Sequence, residues 1–261
     1  MQLLIGSTRA AYIGPGLNLS PHTNAVCTLA ISLGAALDVR LMGKKGVWGE
    51  WKSTWAARIP AGTLHHIKAD SNSIMLFVYL DPQLDRLQNF TDRELNACRE
   101  SLCKMDLSAA TMLTIEHALG LPDEGTAHPR LNKVIRAIEN NPGDFDKIED
   151  AARLINLSGS RFRALFKSEM GIPFRRYRLW RRMAHVVKAV SNGKSLTHAG
   201  ADAGFSDSAH LSASFKSMFG ITPSFLLHPD LRIHCAESSA MPVWRAPYRS
   251  PSLSADQRQS L

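Results

Sequence analysis

Two predicted helices of this 261-residue chain carry polar and cationic side chains on one face and apolar side chains on the other. In the later helix Leu211 and Phe215 recur at the i, i+4 spacing and are expected to face inward. Its outward residues are Ala209, His210, Ser212, Ala213 and Lys216. In the earlier helix the inward residues are Phe162, Leu165 and Phe166, and the outward ones are Ser160, Arg161, Arg163, Ala164 and Lys167. Guanidinium, ammonium, imidazole and hydroxyl groups on such faces can donate hydrogen bonds to an anionic polymer.

Each of these helices follows a shorter helix and a tight turn. In the later unit Gly204 ends the first helix, because glycine readily takes positive φ, and Ser206 and Asp207 offer N-cap oxygens. In the earlier unit residues 148–155 form the first helix and Ser158 is the cap. The residues Phe-Lys-Ser and Gly-Ile recur at one constant offset of 49, from 166–172 to 215–221. The sequence therefore predicts two helix-turn-helix units; the alternative is a stack of helix pairs that serves as a repeat scaffold.

The excess positive charge lies in the same part of the chain. The net charge is +8; residues 129–229 hold 16 Lys and Arg against 8 Asp and Glu, residues 1–128 hold 11 against 12, and residues 230–261 hold 4 against 3. A run of charge is usually a solvated face, but its coincidence with two outward helix faces favours DNA as the partner. A predicted helix Phe174–Val190 joins the units, and its 17 residues span about 26 Å. When the width of the helices at its ends is added to this length, the sum approaches the roughly 34 Å between successive major grooves on one face of DNA.

The segment from Leu131 to Leu227 resembles the DNA-binding domain of AraC/XylS-type transcriptional regulators. The stretch GFSDSAHLSASFKSMFGITPS is similar to the signature of that family over its whole length. The resemblance implies an all-α domain with two helix-turn-helix motifs that binds double-stranded promoter DNA. It also implies a sequence-specific transcription regulator in the form of a homodimer, with RNA polymerase as a candidate partner.

By this resemblance the outward residues take defined roles on DNA. Base contacts fall on Ser160, Arg163 and Ala164 in the first unit, and on Ala209, His210, Ser212 and Ala213 in the second. Phosphate contacts are expected from Ser158, Arg161, Lys167, Arg175, Arg181, Asp207, Lys216 and Thr222. The alternative for each of these Lys and Arg residues, considered alone, is a solvated surface charge without a role in binding. The sequence departs from the family at Ala164 and Ala213, where an Arg is common. Arg163 is therefore expected to be the main reader of base sequence.

The N-terminal part has the short alternating runs and turn residues of an all-β domain. Strands are predicted at 29–33, 37–41, 55–59 and 74–80. The stretch from Ile59 to His65 resembles the second half-motif of cupins, so we expect a cupin-like barrel, although the first half-motif is missing. Because a cupin metal site needs three or four converging ligands, we expect no metal and no cofactor; His22, His65 and His66 are candidate effector contacts or simply packed turn residues.

Helices are expected after the strands, the first capped by the Thr91 and Glu94 capping box and the second over 107–119. The predicted domains are a cupin-like sensor and dimerisation domain at 1–119, a linker at 120–129, an AraC-type DNA-binding domain at 130–229 and a disordered tail at 230–261. In the second unit Gly200 weakens a helix interior, which predicts that this unit is the less rigid one.

The sequence thus predicts a transcription regulator controlled by a small molecule in its N-terminal domain, and not an enzyme. Two alternatives stay open: a cupin-type metalloenzyme with a DNA-binding appendage, and an effector-independent regulator whose N-terminal domain only dimerises. The chain has no run of 18 uncharged apolar residues and no secretory leader pattern. A cytoplasmic protein without a membrane partner is expected.

Overall fold

The protein is described by a computed structural model over residues 1–6, 8–82, 90–121, 129–145 and 147–235. The strands are β1 (Gln2–Ile5), β2 (Arg9–Pro15), β3 (His22–Thr23), β4 (Cys27–Ser32), β5 (Leu37–Leu41), β6 (Lys52–Thr54), β7 (Ala56–Ile59), β8 (Leu64–Lys68), β9 (Ile74–Leu80) and β10 (Arg232–Cys235). The helices are α1 (Asp92–Leu102), α2 (Met112–Ala118), α3 (Pro129–Asn140), α4 (Ile148–Leu154), α5 (Gly159–Met170), α6 (Phe174–Ser191), α7 (Leu196–Asp202) and α8 (Ser208–Phe219). Short 3₁₀-helices lie at Leu107–Ala109 and Pro223–Leu227.

The strands form two sheets, with the orders β10-β1-β2-β9-β4-β7 and β3-β8-β5-β6. The predicted strands at 29–33, 37–41, 55–59 and 74–80 correspond to β4, β5, β7 and β9, whereas β1, β2, β3, β6, β8 and β10 were not predicted. Consecutive strands β6 and β7 belong to different sheets, and no closed barrel is formed by the described residues. The N-terminal domain is β-rich as expected, but a cupin-like barrel is not confirmed.

The six-stranded sheet is buried on both faces. On one face Leu29, Leu76 and Val78 pack against α1 and α2. On the other face the four-stranded sheet covers Tyr12 and Phe77. The remainder of that second face is covered by helices α6 and α8. The helical domain therefore takes the place that further strands would occupy in a closed barrel.

The helices that follow the sheets are only partly as predicted. Thr91 caps α1 in a capping box with Glu94, as expected. The prediction of one helix over 107–119 is wrong, because Ala110 is extended with ψ 137° and Thr111 begins a new capping box with Thr114. The hydroxyl and amide groups of Thr111 thus compete with continuation of the helix.

The C-terminal domain contains the two predicted helix-turn-helix units, α4–α5 and α7–α8, joined by α6. In the first unit Phe162, Phe166, Phe174 and Tyr177 form an aromatic core, with ring centroids 5.0–5.7 Å apart. The second helices of the units are offset by 49 residues and the first helices by 48, so the second turn is one residue longer. No helix within the described ranges is long and apolar enough to span a membrane.

The end of the described chain returns to the N-terminal domain. The prediction of a disordered tail from residue 230 is wrong for Arg232–Cys235, because β10 pairs in parallel with β1 along its whole length. Leu231 and Ile233 also pack into the core between the domains. A four-residue strand whose partner lies at the other end of the sequence leaves no local pattern. Residues 236–261 of the predicted tail and residues 122–128 of the predicted linker lie outside the described residues.

Candidate nucleic-acid interface

The second helix of the first unit, α5, is built as the sequence predicts. The Ser158 hydroxyl accepts a hydrogen bond from the Arg161 N–H, which fixes where the helix begins, and Gly171 ends it with φ +70°. The side chains of Phe162 and Phe166 are fully buried, and Leu165 is half-buried. The residues predicted to face outward are all exposed: Ser160, Arg161, Arg163, Ala164 and Lys167.

The second helix of the second unit, α8, repeats this arrangement. The Asp207 carboxylate accepts a hydrogen bond of 2.7 Å from the His210 N–H, and Gly220 ends the helix with φ +75°. That hydrogen bond, followed by one from the Ser206 hydroxyl, lowers the pKa of the Asp207 carboxyl. Of the predicted outward residues, Ala209, His210, Ala213 and Lys216 are exposed and Ser212 is half-buried.

The imidazole of His210 is held in one orientation by the turn before it. Its ring lies against Phe205 at a centroid distance of 5.2 Å. The backbone N–H of Ser206 donates to Nδ1 at 3.5 Å, and the Ser206 hydroxyl lies 3.1 Å from the same atom. The Ser206 hydroxyl also donates to the Asp207 carboxylate at 3.0 Å, so the turn, the cap and the imidazole form one network. This network orients the exposed edge of His210, where Nε2 donates or accepts according to the tautomer.

The predicted phosphate contacts divide into exposed cations and one buried cation. Arg161, Lys167, Arg175 and Lys216 are exposed, as are Ser158, Asp207 and Thr222. Arg181 differs, because its side chain is only 12% exposed and lies 2.8 Å from Glu139 and 3.7 Å from the buried Asp81. In this arrangement of the domains the Arg181 guanidinium links α6 to α3 and to Asp81, the residue that follows β9. Its predicted phosphate contact stays a prediction.

The N-terminal domain contacts both helix-turn-helix units. At the end of α8 the Ser20 N–H and hydroxyl donate to the Gly220 carbonyl at 3.0 and 2.7 Å. On the side of the first unit, Ala61 packs against the core that contains Phe162 and Phe166. The guanidinium of Arg176, at the start of α6, lies directly over Gly62, where a Cβ atom would collide with Nη1. The domain thus fixes the unit at each end of α6. No local sequence signal marks these contacts, since the partners are more than 100 residues apart.

The three histidines proposed as effector contacts do not converge. His22 and His65 are cross-strand neighbours on β3 and β8, with ring centroids 4.2 Å apart. His66 points to the opposite face of β8, where its ring lies 5.1 Å from Trp51. Burial is the main cause that lowers the pKa of His22, and it lowers that of His65 to about 4. The described residues contain no group of three His, Cys, Asp or Glu placed to hold a metal ion.

A different site lies where the two domains meet. A cavity of about 70 Å³ is lined by the inner face of the six-stranded sheet, by α6 and by α8. Its walls include Tyr12, Tyr79, Trp180 and Met183. This cavity was not predicted, because its walls come from segments that are distant along the chain.

Comparison with known proteins agrees with this architecture. A family profile described as a helix-turn-helix domain matches residues 151–228. The Msm operon regulatory protein of Streptococcus mutans is 32% identical over 95 residues, 36% of this chain and 34% of that protein. The Probable transcriptional regulator LumQ of Photobacterium leiognathi is 28% identical over 149 residues, 56% of this chain and 60% of that protein. The chain thus spans about a third and three fifths of the lengths of these relatives.

Solved structures show the same fold over both domains. ToxT from Vibrio cholerae superposes with a TM-score of 0.52 and 10% identity, covering 84% of this chain and 98% of that chain. Fold and exposed surface together define the C-terminal part as a tandem helix-turn-helix domain. This domain is of the AraC type, and the family resemblance predicted from the sequence is confirmed.

Proposed function

We propose that the protein is a sequence-specific transcription regulator that binds double-stranded promoter DNA. The observation that carries this proposal is the pair of capped helices α5 and α8, which expose their outward faces at the two ends of α6. An α-helix fits the major groove, and α6, with 18 residues, is about 27 Å long. One chain can then place its two helices in successive major grooves of one DNA face.

The two helices contribute differently to recognition. Arg163 is exposed at the middle of α5 and can donate two hydrogen bonds to guanine O6 and N7. On α8 the exposed imidazole of His210 suits a hydrogen-bonding group on a base edge, while Ala209 and Ala213 offer methyl groups to thymine. The first unit therefore reads bases most strongly, assisted by Ser160 and Ala164, and the second unit contributes fewer base contacts through His210 and Ser212.

The phosphate contacts that remain available hold the protein on the duplex. The cations Arg161, Lys167, Arg175 and Lys216 are exposed and make no ion pair among the described residues. The exposed caps at Ser158, Asp207 and Thr222 add backbone N–H groups at the starts of helices. Such contacts give affinity and position without base preference.

Small-molecule control through the N-terminal domain is the second part of the proposal. That domain contacts both units and the joining helix, so a ligand that changes its packing changes how the two units are held. ToxT, which shares the fold, has been solved with a bound unsaturated fatty acid and with (E)-4-(8-methylnaphthalen-1-yl)but-3-enoic acid. A homodimer, contact with RNA polymerase and a cytoplasmic location where promoter DNA is found complete the proposal.

The alternative of a cupin-type metalloenzyme is less well supported. It requires several imidazole and carboxylate ligands around one point. Here His65 and His66 point to opposite faces of β8, and the part of the chain that the structure describes places no third metal-ligating side chain beside His22 and His65. Stoichiometric iron, zinc or manganese in the purified protein would favour the enzyme. The other alternative, a regulator whose N-terminal domain only dimerises, would be favoured if no small molecule changed DNA affinity.

Selection of bound duplexes from a random pool tests the proposed function. We expect recovery of one motif with two elements separated by about one helical turn of DNA, and affinity that falls steeply with salt. Half-sites in inverted or direct repeat would report a dimer. Recovery of no duplex at low salt, or of duplexes without a shared motif, would contradict sequence-specific binding.

A further inference from the structure

The cavity between the domains has walls that belong to both of them. One wall is the inner face of the six-stranded sheet, with Tyr12 and Tyr79, and the other is formed by α6 and α8, with Trp180, Met183 and Phe219. Small-molecule pockets occur preferentially at domain interfaces and are lined mainly by hydrophobic and aromatic side chains. A molecule bound here would contact the sensor domain and the second helix-turn-helix unit at the same time.

The side chains that line the cavity disfavour a charged ligand. None of the residues that line the cavity is charged, and the polar side-chain groups are the two phenol hydroxyls and the Trp180 indole N–H. The Tyr12 hydroxyl already donates to the Pro15 carbonyl at 3.0 Å. Burial raises the pKa of Tyr12 to about 12 and also raises the pKa of Tyr79, so both hydroxyls stay neutral. A carboxylate placed here would lose its hydration and find no cation in return.

We propose that this cavity binds an uncharged apolar molecule, aromatic or alicyclic, and that it is the effector site in place of the three histidines. Its role as an effector site rests on the proposed function, whereas binding itself does not. Dry cavities lined by apolar side chains are known to accept such molecules, with benzene entering one of about 150 Å³. The histidines, by contrast, lie outside the lining of the cavity.

The size of the cavity connects binding to movement of the second unit. At about 70 Å³ it is smaller than a benzene site, so a ring-sized ligand that is fully buried must move α6 and α8 away from the sheet. Phe215 and Phe219 of α8 line the cavity, and Gly220 at the end of α8 is held by Ser20. A bound ligand therefore favours an arrangement in which this hold is loosened, and the ligand changes DNA affinity only by its preference for one arrangement.

Matched neutral and ionised probes test the proposal on the full chain. The neutral probes are toluene, naphthalene and biphenyl, and each is paired with its acid: benzoate, 2-naphthoate and biphenyl-4-carboxylate. Binding is measured by calorimetry and by the shift in melting temperature at pH 7.5. We expect at least one neutral probe to bind about tenfold or more tightly than its acid, because the acid cannot be desolvated. The proposal is overturned if no neutral probe binds better than its acid.

Variants then assign the site. Ala184→Leu fills the cavity from α6 and should weaken the neutral probe about tenfold. Lys188→Leu adds the same side chain one turn further along α6 at an exposed position outside the lining, and should leave binding unchanged. If Ala184→Leu fails to fold, Ala10→Val tests the opposite wall. Unchanged probe binding in the folded cavity variant places the ligand elsewhere and overturns the proposal.

DNA selection without any probe separates the two proposals. Probe binding in a protein that selects no DNA would contradict the proposed function and leave the binding site standing. DNA selection by a protein that binds no neutral probe would support the proposed function and contradict the proposed ligand site. With both intact, a change in DNA affinity caused by the neutral probe, and lost in Ala184→Leu, supports the effector role.

Discussion

Ser20 and Gly220 lie 200 positions apart in the chain, and the Ser20 hydroxyl donates to the Gly220 carbonyl at 2.7 Å. The Ser20 N–H donates to the same oxygen at 3.0 Å. Because Gly220 is the residue at which α8 ends, the N-terminal domain directly holds the end of α8. Helix α5 ends at an equivalent glycine, Gly171, which has no such contact in the described part of the chain.

This difference between the two glycines gives a matched pair of variants. Both have positive φ, so Gly171→Ala and Gly220→Ala should each lose about 1 kcal/mol of unfolding free energy from backbone strain. At Gly220 the new Cβ would also lie 2.7 Å from the Ser20 carbonyl oxygen and from His22 Nδ1. We expect Gly220→Ala to cost about 1 kcal/mol more than Gly171→Ala in urea denaturation. Equal losses would mean that the contact between the domains does not persist in solution.

Arg163 and Lys216 separate base reading from phosphate contact. Arg163→Ala should remove about 1–3 kcal/mol of discrimination at one base pair of the selected site, because a bidentate contact to guanine is lost. Lys216→Ala should weaken all duplexes alike and reduce the slope of the salt dependence by about 1. Binding of the selected site and of single-base variants measures both effects. The assignment of Arg163 fails if its removal weakens every sequence equally.

Arg181 and Arg175 lie on the same helix but differ in burial. Arg181 is placed between the buried Asp81 and Glu139, so Arg181→Met should lower the free energy of unfolding by about 3 kcal/mol. Arg175 is exposed, and Arg175→Met should change stability by less than about 0.5 kcal/mol. Only Arg175→Met should reduce the salt dependence of DNA binding. A reduced salt slope in folded Arg181→Met would show that Arg181 leaves its buried partners to contact DNA.

Local signals in the sequence were sufficient for the helix-turn-helix units. Positive φ at Gly204, the caps at Ser158 and Asp207 and the exposed faces of α5 and α8 each depend on residues within one or two helical turns. Gly200 was expected from its helical position to weaken the helix. A Cβ atom added there would lie 3.0 Å from Leu211 Cδ2, so glycine permits the close approach of α7 and α8. The predicted lower rigidity of this unit stays a prediction for amide exchange.

Contacts between distant segments were not predictable in the same way. The ion pair of Arg181 with Asp81, just after β9, and the pairing of β10 with β1 depend on how the domains meet, and no spacing in the sequence indicates these contacts. The cupin-like half-motif around His65 suggested a closed barrel. Instead α6 and α8 cover part of the sheet, a substitution of helices for strands that the apolar pattern of the sheet alone does not distinguish.

The buried pair His22 and His65 predicts loss of stability in acid. The folded-state pKa of His65 is lowered from 6.5 to about 4, first by burial and then by His22, while His66 adds a smaller effect. Since the unfolded chain binds more protons than the folded chain below pH 6.5, this stability is present above pH 6.5 and is lost as the pH falls toward about 4. One such group changes the unfolding free energy by about 1.4 kcal/mol per pH unit at most within that window.

Urea denaturation at pH 7, 6 and 5 measures this slope, with His65→Leu as the test variant. The variant loses the hydrogen bond from Nδ1 to the Thr63 carbonyl, so it should be less stable at pH 7, but its stability should fall less between pH 6 and 5. His234→Leu, at an exposed position of β10, should keep the slope of the native protein. An unchanged slope in His65→Leu would show that other groups cause the acid sensitivity, because a leucine at this position cannot take up a proton.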